Sequence, residues 1–139
     1  MGFGPGVCID LLARAAPMGT IAGVDPSAAM VKQATARNAA AIRAGVVDLR
    51  RGTVENMPFQ DHTFDTALAI NSMQVWPDAE AGLREIWRVL AAGGRVALGF
   101  TPSSGQPRAG VRELLSAAGF AATRLEDLRG GFCALARKA

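Results

Sequence analysis

Short apolar runs alternate with helix-patterned stretches along most of the chain, and this alternation limits the fold more than any other feature. Strands are predicted over 20–25, 46–50, 64–70 and 95–100, and helices over 7–15, 28–44, 78–92 and 107–118. Helix stops follow at Gly45, at Gly93-Gly94 and at Gly119, while Pro26-Ser27 supplies a first-turn proline and a capping hydroxyl. The run 64–70 is apolar apart from Asp65 and Thr66, as a central parallel strand requires. Two last runs, 121–125 and 132–136, flank Gly130-Gly131 and read as an antiparallel hairpin. Strands alternating with helices build a parallel sheet covered on both faces, so the chain is read as α/β and doubly wound, with that hairpin at its C-terminal end.

Composition narrows the function classes. The 139 residues suit one domain, read as 1–139, and half of them are hydrophobic against 19% charged, so a packed core rather than disorder is expected. No apolar stretch is long enough to span a membrane, and Asp10 and Arg14 interrupt any leader-like run, so a cytoplasmic protein is expected. The net charge of +3 is spread over scattered arginines with no basic run interleaved with aromatics, which speaks against nucleic acid. Cys8 and Cys133 have no paired cysteine or nearby histidine, so no metal site is expected.

In a doubly wound sheet, ligands gather at the carboxyl ends of the strands. Those ends bring forward residues 2–6, Asp25, the loop 53–55 and residues 71–76. Glycines at 2, 4 and 6 form G-x-G-x-G. A dinucleotide fingerprint would place its third small residue at position 7, which is Val7. Asp25 ends the strand after this loop, where a carboxylate can accept both hydroxyls of a ribose; it can equally cap the helix that begins at Pro26.

The series GFGPG at 2–6, GVDPSAAM at 23–30, GTVENMPFQDHTFD at 52–65 and EIWRVLAAGGRVAL at 85–98 resembles the class I S-adenosylmethionine-dependent methyltransferases. The small-molecule branch, methyltransferase type 11, which includes the ubiquinone and menaquinone biosynthesis enzymes, is the most similar. The resemblance implies a Rossmann-like fold, S-adenosyl-L-methionine as cofactor and a small-molecule methyl acceptor. It places Gly2, Gly4 and Gly6 under the methionyl part of the cofactor and Asp25 on the ribose. Met30 would lie beside the adenine, Thr53, Val54 and Glu55 at the adenine edge, and the Asn71 backbone at the methionine end. Glu85, Arg88, Leu90, Gly93 and Gly94 would be structural. The family usually has an aspartate where Thr53 stands, so weaker adenine discrimination, or a substitute role for Glu55, is expected.

Methyl transfer from a sulfonium is an in-line displacement in which the donor carries its own leaving group. The protein therefore mainly aligns the reactants and keeps water out. Ser72, Met73, Gln74 and Trp76 are on the acceptor side, with Gln74 and Trp76 the principal candidates. Gln74 can hydrogen-bond an acceptor but cannot act as a base. Trp76 offers an apolar or cation-binding face, or simple packing on the next helix. His62 is read as a solvated turn residue, and Asp65 as a structural one that accepts backbone bonds. The linker 101–107 is short and polar, so a thin cover and a wet site are expected.

In the family, the glycine loop follows a strand lying mid-sheet between 20–25 and 64–70, and Met1 holds only its last position. The chain is accordingly read as N-terminally truncated, without the cap and the first strand. A homodimer that completes the sheet is one remedy. A catalytically weak or inactive binding or dimerisation module is the second reading of function. An NAD(P)-binding Rossmann protein is the third, disfavoured by Val7 and by the absence of tyrosine.

Overall fold

In the computed structural model, which describes residues 1–139, the strands hydrogen-bond in two sheets. The chain divides into two compact units, Met1–Thr53 and Val54–Ala139.

The first unit contains α1 (Val7–Ala15), β1 (Ile21–Asp25), α2 (Ala28–Arg37), α3 (Ala39–Arg43) and β2 (Val47–Arg51). Strands β1 and β2 pair in parallel, Ile21 opposite Val47 through Asp25 opposite Arg51. Phe3, Ile9, Ala34 and Val47 form the core, with Ile21, Val31 and Leu49 packed against it. Helix α2 starts where the sequence places it: Ser27 has an extended backbone, and its Oγ accepts the Met30 N–H at 3.2 Å. The single helix expected over 28–44 is broken at Asn38. That side chain is buried, and its Nδ2 donates to the carbonyls of Gly6 at 3.1 Å and Ala34 at 3.0 Å. The break thus ties the helix pair to the glycine loop.

Gly6 is fixed twice over. Its φ is +90°, and a Cβ there would lie 2.8 Å from both Cα and Cβ of Ala34. Helix α2 packs against bare backbone.

The second unit contains β3 (Phe64–Ile70), α4 (Ala79–Val89), β4 (Leu90–Phe100), α5 (Val111–Ala117), β5 (Phe120–Leu128) and β6 (Gly131–Lys138). The strand order is β3-β4-β6-β5, with β3 and β4 parallel and the other two ladders antiparallel. The α/β class, the parallel pairings and the C-terminal antiparallel pair agree with the sequence reading. Asp78 caps α4 by accepting the Ala81 N–H at 3.0 Å, and Leu83, Ile86 and Val89 on one helix face are buried.

Three boundaries differ from the sequence reading. Helix α4 ends at Val89 rather than at residue 92, because Leu90 is already extended and pairs with Phe64. Gly93 and Gly94 then sit inside β4, where the register with β3 shifts, instead of stopping a helix. Lys138 supplies the stop: its buried Nζ donates to the Trp87 and Leu90 carbonyls, each at 2.7 Å, and lies 3.9 Å from the Trp87 ring centroid. An ammonium there also suits the negative end of the helix. Helix α5 is shorter than the predicted 107–118 at its start, and the final strands run longer than expected.

Arg88 cross-links α4 to the loop ahead of β3. It donates to Glu85 at 2.6 and 2.9 Å, to Asp61 at 2.7 Å, and to the carbonyls of Phe59 and Met57. Glu85 in turn accepts the Met57 N–H at 2.8 Å. The structural role expected for this pair has a definite form: it fixes residues 57–61.

Two predictions follow from these contacts. Gly6→Ala combines left-handed strain with overpacking, so a loss of about 2–4 kcal/mol is expected in urea unfolding. The second concerns acid. The Arg88 hydrogen bond, ahead of the Met57 N–H, holds the Glu85 carboxyl below its usual 4.5. A depressed folded-state pKa contributes stability that is complete above the unfolded value and is lost as the pH falls through the folded one. Thermal melts from pH 6 downward should therefore show a decline beginning near the ordinary glutamate range, and Glu85→Gln should flatten it.

Candidate functional site

In the first unit, the glycine loop and the end of β1 come together. The loop is tied to β1 by the Gly2 N–H, which donates to the Val24 carbonyl at 2.8 Å. Asp25 is 6% exposed, and its carboxylate faces the loop. Oδ2 accepts the Gly4 N–H and Oδ1 the Ser27 N–H, both at 2.9 Å. Of the two roles weighed for Asp25, the contacts display the bracing of the start of α2, and they add one that was not foreseen, the holding of the glycine loop. A carboxylate oxygen can accept more than one hydrogen bond, so each retains capacity. Gly4 has a φ of +57°, and a Cβ there would meet nothing within 4 Å. The loop thus presents bare backbone beside open space, next to an oriented carboxylate. Met30 is half-buried in the first turn of α2, and Thr53 is exposed just after β2.

In the second unit, Val54, Glu55 and Trp76 gather at the start of α4. Glu55 Oε1 accepts the Asp78 N–H at 3.3 Å at the head of α4. Val54 and Trp76 meet over Gly82, where a Cβ would lie 3.0 Å from Val54 Cγ1 and 2.8 Å from Trp76 Cε3. Glycine in α4 is what lets the indole seat so closely. The Trp76 Nε1–H donates to the buried Ser72 Oγ at 2.8 Å, so packing on the following helix is the role that the contacts display.

Asn71 follows β3 with a φ of +48°, a conformation asparagine tolerates better than most residues. Its side chain straps β3 to the end of β4: Nδ2 donates to Thr101 Oγ1 and Oδ1 accepts the Thr101 N–H, both at 2.8 Å. The 3₁₀ turn Met73–Val75 comes next, and in it the Gln74 Oε1 is buried without a hydrogen-bond partner. A buried unpaired acceptor costs about 1–3 kcal/mol, so such an atom calls for an explanation.

His62 is exposed with a φ of +55°, in the turn expected for it. Its Nδ1 lies 3.1 Å from Lys138 Nζ, a contact that links distant parts of the chain. Asp65 is exposed on β3 and lines a groove, in place of the backbone-accepting role expected for it. The sequence reading missed the bond from Gly4 to Asp25 and the role of Asn38.

In the first unit, a glycine loop is braced by a carboxylate at the end of the next strand. Residues 1–98 match the family described as a methyltransferase domain, and the chain belongs to that family. S-adenosylmethionine is the cofactor this membership implies. The chain is 30% identical over 102 residues to an uncharacterized methyltransferase of Bacillus subtilis, covering 73% of this chain and 54% of that one. It is 33% identical over 92 residues to a ubiquinone/menaquinone biosynthesis C-methyltransferase of Geotalea daltonii, covering 66% and 39%. It therefore spans about half, or less, of the length of these relatives. Among solved structures, a SAM-dependent methyltransferase from Aquifex aeolicus aligns with a TM-score of 0.86 at 18% identity, over 99% of this chain and 79% of that one. No helix is long and apolar enough to cross a membrane.

The Asn71 strap generates its own test. Asn71→Gly keeps the left-handed turn but loses both bonds to Thr101, while Asn71→Ala loses the bonds and adds strain. Alanine should be the more destabilising by about 1 kcal/mol in chemical denaturation.

Proposed function

We propose that this chain transfers the methyl group of S-adenosylmethionine to a small-molecule acceptor. The observation that carries the reading is the Asp25 carboxylate, buried, turned to the glycine loop and oriented by the Gly4 and Ser27 amides. In this reading, Gly2, Gly4 and Gly6 offer backbone without side chains to the methionyl part, and the open space beside Gly4 admits it. The remaining acceptor capacity of Asp25 takes the ribose hydroxyls. Met30 and residues 53–55 surround the adenine, where the uncharged Thr53 gives a single weak acceptor. Asn71 meets the amino-acid end through its backbone carbonyl, since its side chain is occupied by Thr101 and its N–H by the Gly99 carbonyl.

The cofactor supplies an electrophilic methyl on a sulfonium that departs as a neutral thioether. The chain's share is alignment and exclusion of water. Gln74 is the better of the two acceptor-side candidates. Trp76 has its N–H committed to Ser72 and its ring to α4, whereas the Gln74 amide oxygen lacks a partner.

Calorimetry with S-adenosylhomocysteine tests the reading. Asp25→Asn places an amide N–H against the Gly4 or ribose donors and should weaken binding roughly tenfold or more, since charged hydrogen bonds are worth about 1.5–3 kcal/mol. Gly4→Ala should cost about 1 kcal/mol of left-handed strain without a steric clash, since its methyl enters open space, yet lose binding as that space is filled. Affinity unchanged in both variants would refute the assignment.

A further inference from the structure

We propose a second ligand site, for a phosphomonoester, at the amino-terminal end of the β3–β4 pair. It does not depend on the methyltransferase reading. Arg95 of β4 and Arg137 of β6 are direct partners in the antiparallel ladder. Partners of this kind share a face of the sheet with their Cβ atoms ~5 Å apart, and like charges so placed repel. Neither guanidinium has a carboxylate partner, whereas Arg50, Arg84 and Arg124 are paired with Asp48, Glu80 and Glu126. Both line a groove of about 450 Å³ together with Asp65, Gly93 and Gly94.

The groove therefore carries two guanidiniums against one carboxylate, and the unmet need is for negative charge. The groove lies at the register shift between Phe64 and Thr66, where β4 passes through Gly93 and Gly94. A Cβ at Gly93 would meet nothing within 4 Å, so the wall stays open to a bulky headgroup. Two planar guanidinium forks suit an anion with several terminal oxygens, and a phosphoryl group satisfies both and cancels their repulsion. Asn71 and Gln74 follow the opposite end of β3, a strand of 7 residues, so the two sites lie ~20 Å apart along the strand.

The test is thermal melting and calorimetry of the full chain at low ionic strength. The probes are inorganic phosphate and phenyl phosphate, each against sodium chloride of matched ionic strength. Phosphate should raise the melting temperature beyond the chloride control, and Arg95→Gln or Arg137→Gln should each weaken binding roughly tenfold. The double variant should abolish the phosphate response while melting no lower than the parent in chloride, because both side chains are exposed and their repulsion is gone. Phenyl phosphate should bind at least as tightly as phosphate, because the wall at Gly93 is open to the ester group, and clearly weaker binding of the ester would overturn the phosphomonoester assignment. A response no larger than chloride gives, or one that persists in the double variant, overturns the proposal.

Discussion

The carboxylate of Asp25 does two jobs at once. It accepts from the Gly4 amide and from the Ser27 amide, so one buried side chain fixes the glycine loop and the entrance of α2 against the end of β1. Three more contacts reinforce this anchoring: Gly2 N–H on the Val24 carbonyl, Asn38 on the Gly6 carbonyl, and Ala34 pressed against the Gly6 backbone. The glycine loop is thus held by a charge, by close backbone packing and by the Phe3 side chain, which is buried in the core of the first unit. A loop held in this way can be both glycine-rich and rigid, which a cofactor that touches main chain requires.

The second unit solves a similar problem with different chemistry. Residues 57–61 have no regular structure, yet the Arg88 fork takes two of their carbonyls and one carboxylate, and Glu85 takes an amide. Asn71 performs the same service beyond β3. In each case a side chain replaces the hydrogen bonds that a helix or strand would have supplied.

Much of this was legible in the residues. Helix α1 and strand β3 fall where periodicity puts them, because the pattern is unbroken and the flanking signals agree. Family membership and the α/β class rest on ordered motifs that local sequence preserves. What stayed hidden depends on tertiary partners. Helix α4 ends early because Lys138, about fifty residues downstream, takes its terminal carbonyls, and Gly93-Gly94 looked like the natural stop. The interruption at Asn38 is visible only once Gly6 is known to lie beside it. For Trp76, the close packing of the indole on α4 depends on Gly82, a small residue whose significance needs the fold.

The placement of β6 between β4 and β5 governs the order of assembly. Strand β5 pairs with β6 and with no other strand, yet it leaves the ribosome first. Until the later strand arrives, β5 has no ladder to join, and the flank of β4 that β6 will occupy presents free main-chain donors and acceptors. An unpaired flank of this kind is a template for another nascent chain. The sheet is therefore completed only when β6, the later-made of the pair, inserts between β4 and β5.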